Sequence, residues 1–107
     1  YHMTELDTAR KTGINTVTVI NNNHSLNQEQ GGIEGTYGQR SSESDAHWLF
    51  PDQDFVRMAE SMDCFGVTVN KPSELEGALE RALNAGKPAV IDVKTHIEGI
   101  ADRAWMP

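Results

Sequence analysis

Three consecutive carboxamides, Asn21-Asn22-Asn23, follow a β-branched run and lead into His24-Ser25. At the exit of a strand, such a run can converge side-chain oxygens on a hard cation. Mg²⁺ takes a near-octahedral set of oxygen ligands and commonly shares them with a substrate or cofactor phosphate. The same residues also suit a plain turn, because Asn tolerates left-handed backbone geometry and hydrogen-bonds its own main chain. Both readings stand on the residues alone. His24 adjoins the run, whereas His2, His47 and His96 are scattered without the spacing of zinc ligands. Cys64, the single cysteine, falls between an amphipathic stretch and a β-branched run, which suits a small buried apolar residue better than a nucleophile. Gly31-Gly32, Gly35 and Gly38 neither follow a strand nor open a clear helix, so they fail the context test for a phosphate-cradling fingerprint.

The elements that must position these residues are legible from periodicity. Phe55, Met58, Ala59 and Met62 recur at helical spacing after Asp52, a residue able to cap the first turn. A second helix begins near Pro72 and carries Leu75, Ala78, Leu79, Ala82 and Leu83 on one face, with Gly86 and Pro88 as its stop. Its start reads two ways: Pro72 in the first helical position, or Ser73 with Glu76 as a capping box. A thinner helix runs from about Thr4 to Thr12, ended by Gly13. Asn15–Ile20, Val67–Val69 and Ala89–Val93 read as strands. About three strands alternating with three helices predict an α/β fold, a parallel sheet between helical layers. The polar, glycine-rich segment from about 21 to 51 shows no sustained periodicity and reads as a long loop leaving a strand's carboxyl end, where α/β sheets bind ligands.

Composition narrows the function classes. The 107 residues suit one small domain, with 37% hydrophobic and 23% charged residues. A net charge of −7 argues against a nucleic-acid partner, which needs clustered Lys and Arg. No apolar run approaches the ~18 residues of a membrane span. One cysteine and no leader fit a cytoplasmic protein.

Set in order, these segments resemble a known family. Glu5-Leu6-Asp7-Thr8-Ala9, Gly13-Ile14-Asn15 and a strand ending in Asn22-Asn23 resemble the second half of the thiamine diphosphate motif, which opens with Gly-Asp-Gly and closes with Asn-Asn. Pro51–Glu60, Val69–Leu75 and Gly86–Val93 resemble the later helices and last strand of the acetolactate synthase and 2-oxo-acid decarboxylase group. The resemblance spans essentially residues 1–107 and implies a partial three-layer α/β/α cofactor-binding domain, with a cofactor and substrate loop at about 21–51 and a tail at about 95–107. It implies that Asn23 is a side-chain Mg²⁺ ligand, that Ser25 offers a main-chain carbonyl to the same ion, and that Asn22 helps shape this cofactor-binding turn. Glu29 falls close to where related decarboxylases place a catalytic carboxylate; many synthases have no acid there.

By the same spacing the Gly-Asp-Gly segment would lie just before Tyr1, and the glutamate that activates the thiamine ring belongs to a different domain. The expectation is therefore a piece of a thiamine diphosphate and Mg²⁺ enzyme acting on a 2-oxo acid. Its partners would be the remaining domains of a homodimer or homotetramer; FAD is compatible with such a parent but is not written in these residues. Asn15 stands where the family commonly has proline, and Asp63 where glycine often ends a helix, a swap that Asp tolerates in left-handed geometry. Trp48-Leu49-Phe50 reads as a core or subunit contact, and Trp105 as a contact to a neighbouring domain. The competing reading is a non-catalytic α/β module that binds a protein partner through its acidic loop.

Overall fold

The computed structural model describes residues 2–38 and 41–99. Two compact units emerge: one from the residues up to Asn22 together with Gln53–Lys94, the other from Asn23–Asp52 together with the segment that starts at Thr95.

The first unit is a parallel sheet between helices. Its strands β1 (Val17–Asn22), β2 (Phe65–Val69) and β3 (Ala89–Lys94) lie in the order β1-β3-β2, with β3 pairing in parallel to both neighbours. Helices α1 (Glu5–Thr12) and α4 (Phe55–Ser61) serve one face, and α5 (Leu75–Leu83) the other. This division follows from the alternation of side chains along β3. Ala89 and Ile91 pack with Ala78 and Ala82 of α5 and with Val69, whereas Val90 packs with Ala59 of α4 and Cys64, against Leu6, Ile20 and Phe55. The α/β/α expectation holds for this unit.

Local signals explain the boundaries. Helix α1 has Glu5 and Asp7 in its first turn and Arg10 and Lys11 in its last, matching the helix dipole, and Gly13 closes it at φ 72°. The cap of α4 is Asp54, whose carboxylate accepts the Arg57 N–H at 2.9 Å, rather than Asp52. Pro72 opens a short 3₁₀ turn, Pro72–Glu74, ahead of α5; Glu74 reaches back to the N–H groups of Asn70 and Lys71, so the Ser73–Glu76 box does not form. Those two N–H donors hold the Glu74 carboxyl below its ordinary value. Leu83 lies off the α5 core face, 71% exposed, while Ala78 and Ala82 carry the burial.

Two further expectations need correction. Strand β1 begins and ends two residues later than read, because β3 extends to Lys94 and pairs Asn21 with Val93 and Asn22 with Lys94. Ladder bonds thus draw two of the three carboxamides into the sheet. The segment read as a long loop also has helical structure in the second unit: a 3₁₀ turn at Asn27–Glu29, α2 (Gln30–Tyr37) and α3 (Ser42–Asp45). Gly31, Gly32 and Gly35 lie inside α2, where their low helix propensity removed the sequence signal. Ser41 and Ser44 cap α3 reciprocally, and Trp48 is buried, 1% exposed. Trp105 lies outside the described residues. Among the described residues no helix is long and apolar enough to cross a membrane.

Candidate functional site

At the carboxyl end of the sheet the apolar face turns polar. Val90, Asp92 and Lys94 alternate onto the same face of β3, and Ile20 is followed two residues on by Asn22 on β1. Asp92 is buried at 1% exposure. Its Oδ1 accepts from Asn22 Nδ2 at 2.9 Å, and its Oδ2 pairs with Lys94 Nζ at 2.9 Å. Asn22 is itself buried, so its carboxamide is held within the sheet.

The second unit begins at Asn23, and its first residues form a tight turn. Asn23 Oδ1 accepts the Ser25 N–H at 3.1 Å, closing a side-chain-to-backbone ring of the kind Asn favours. Between them His24 sits at φ 56°, a left-handed conformation uncommon for a residue with a Cβ. Ser25 faces Leu49 in an isolated antiparallel bridge, with Leu26 N–H donating to Trp48 O and Phe50 N–H to His24 O, each at 2.8 Å. His24 Nδ1 lies 3.5 Å from Asp52 Oδ1, so Asp52 serves this turn rather than the α4 cap. Glu29 lies exposed in the Asn27–Glu29 turn.

These atoms fit a hard cation. A carboxamide oxygen has two lone pairs, so Asn23 Oδ1 can accept the Ser25 N–H and still offer the second. Ser25 Oγ is buried with no hydrogen-bond partner among the described residues, a state that points to a missing polar neighbour such as water or an ion. Among the described residues no group of three His, Cys, Asp or Glu side chains could hold a metal. A cation here would therefore rest on carboxamide and main-chain oxygens, as Mg²⁺ accepts when phosphates and water complete its shell.

Elsewhere the chemistry is bland. A groove of about 570 Å³ in the first unit is lined largely by apolar atoms of Leu6, Ala9, Ile20, Phe55 and Val90, and none of Asn22, Asn23, Ser25 or Glu29 lines it. Burial raises the Cys64 thiol above its ordinary value, which suits the apolar role read from sequence.

Residues 1–93 match the family described as thiamine pyrophosphate enzyme, C-terminal TPP binding domain. The chain belongs to this family. Over 91 residues it is 34% identical to the acetolactate synthase large subunit of Mycobacterium tuberculosis and to a probable acetolactate synthase of Mycobacterium bovis. Each match covers 85% of this chain and 16% of the relative, so the chain spans about a sixth of their length. Among solved structures it is similar to a thiamine diphosphate-dependent 4-hydroxybenzoylformate decarboxylase from Rhodococcus jostii RHA1. The TM-score is 0.74 at 26% identity, over 88% of this chain and 17% of that one. Within this TPP-binding domain, the residues that sequence reasoning passed over are Asp92 and Lys94. A usable signal existed: Asp92 is the one acid in the apolar run Ala89-Val90-Ile91-Asp92-Val93.

Proposed function

We propose that this TPP-binding domain supplies part of the Mg²⁺ and diphosphate site of a larger, cytoplasmic thiamine diphosphate enzyme that acts on 2-oxo acids. The observation that carries the reading is the Asn23–Ser25 turn directly following the carboxyl end of β1, where a carboxamide oxygen keeps a lone pair to give and a buried hydroxyl has no hydrogen-bond partner among the described residues. Asn23 would hold Mg²⁺ through its Oδ1 and Ser25 through its main-chain carbonyl, and the ion would supply positive charge for the diphosphate. Asn22 shapes the approach to this turn. Glu29, exposed in the Asn27–Glu29 turn, would offer a carboxylate able to give or take a proton. Thiamine diphosphate held here would supply a carbon nucleophile for 2-oxo-acid chemistry. The relatives' names, a synthase and a decarboxylase, leave carboligation and decarboxylation as the two outcomes of such chemistry. The remaining domains, in a homodimer or homotetramer, complete the site and hold any FAD.

The test compares Asn23→Leu with His24→Gly in the full-length enzyme. Cofactor binding is titrated across a range of Mg²⁺, alongside thermal melting of the apoenzyme. Asn23→Leu should weaken thiamine diphosphate binding by about tenfold or more, since even residues behind metal ligands matter at that level. His24→Gly, which takes the left-handed backbone without strain, should change it little. An unchanged cofactor dependence in Asn23→Leu removes the ligand role.

A further inference from the structure

Asp92 is a charged group in a place that apolar residues would fill. Two residues earlier on the same strand and face, Val90 belongs to the apolar cluster beneath α4. A carboxylate with 1% exposure gives up its hydration and requires compensation, here from Lys94 and Asn22 at 2.9 Å each. Such buried pairs commonly add no more stability than well-packed apolar side chains of similar volume, so what this one contributes is position. The position it controls is specific. Asn22 is the last residue of β1, opposite Lys94 in the register, and one peptide bond separates it from Asn23.

We infer that Asp92 is a positioning residue: by holding the Asn22 carboxamide it fixes the end of β1, and with it the main chain from which Asn23 presents its oxygen to Mg²⁺. The inference rests on the cofactor-site reading above. Lys94 sits as the counter-charge on Oδ2, which leaves Oδ1 to accept from Asn22 Nδ2. The arrangement has the logic of outer-shell partners in metal sites, which orient ligands without touching the ion.

The experiment uses the full-length apoenzyme and three substitutions. Asp92→Leu keeps the approximate shape and removes both acceptors, Asn22→Ala removes the other end of the same bond, and Asp92→Asn retains an acceptor oxygen for Asn22. Thiamine diphosphate is titrated by calorimetry at fixed Mg²⁺, Mg²⁺ is titrated at fixed thiamine diphosphate, and apoenzyme melting is recorded. Asp92→Leu and Asn22→Ala should each raise both dissociation constants by about tenfold or more, the range seen for outer-shell partners. The double variant should be no worse than the weaker-binding single one, because either single change already breaks the Asn22–Asp92 bond. Asp92→Asn, which keeps an acceptor for Asn22, should bind within about threefold of the parent, less than the worth of one hydrogen bond.

A lowered apoenzyme melting point with unchanged dissociation constants overturns the inference, as does full additivity in the double variant. If Asp92→Leu does not fold, Asn22→Ala and Asp92→Asn decide by the same criteria. Asn23→Leu in the same series separates the two levels. A shift there with none in Asp92→Leu or Asn22→Ala removes only the positioning role, whereas no shift there removes the site reading and this inference with it.

Discussion

Asp63 stands just beyond α4 at φ 56°, a backbone conformation that Asp and Asn tolerate better than most residues with a Cβ. Its carboxylate joins Arg10 at 2.6 Å and Lys87 at 3.1 Å, linking α1 to the turn before β3. The Arg10 guanidinium first, and Lys87 second, hold its carboxyl below the ordinary value of 3.8. The folded value therefore lies below the unfolded one, so the stabilisation is complete above about pH 3.9 and is lost as the pH falls through the folded value. Asp63→Asn keeps the left-handed tolerance and removes the charge. It should melt below the parent at neutral pH, and the gap should close as both are moved toward about pH 3. Melting curves across pH check this; a gap that persists undiminished would assign the loss to packing instead of charge. The family departure at Asp63 was readable because residue type and backbone geometry are tied locally. The same geometry at His24 was not, since nothing in a histidine announces it.

Between elements, α4 and β2 approach closely at Gly66. A Cβ placed on Gly66 would meet Val56 Cγ1 at 2.7 Å and the Val56 carbonyl oxygen at 3.0 Å. The side-chain clash can be relieved by rotation, but the carbonyl belongs to the helix itself. Gly66→Ala should therefore push α4 off the sheet and cost about 1–3 kcal/mol, the usual range for overpacking. Denaturant unfolding would show it as a lower midpoint with an unchanged slope; an unchanged midpoint would mean that α4 slides freely. The helices legible in sequence were those with a buried stripe: Ala59 with Phe55 and Met62 in α4, Ala78 and Ala82 in α5. Helix α2 buries no residue and carries three glycines, so neither period nor propensity marked it. The α4 cap was misplaced by two residues because Asp52 and Asp54 are chemically alike, and only the direction of the Arg57 N–H separates them.

Across the whole chain, the proposed site is incomplete in a measurable way. One carboxamide and one carbonyl make up a minority of a near-octahedral shell, and the chain spans 16% of its curated relatives. Titrated alone with thiamine diphosphate and Mg²⁺, the 107-residue chain should show no binding in the micromolar range; such binding by calorimetry would show that the site needs nothing more. The Asn23–Ser25 turn could be read from sequence because its partners are two residues apart. The Asn22–Asp92 bond could not, because its partners are 70 residues apart and meet only through the β1–β3 register. The division of the chain has a further consequence. All three strands come from outside Asn23–Asp52, so that stretch can change length without altering any ladder. Closing a longer excursion is thermodynamically mild, adding only about 0.6 kcal/mol for each doubling. Beyond the Asn23–Ser25 turn, the polypeptide up to Asp52 is thus a stretch whose length can vary while the strands keep the same hydrogen bonds.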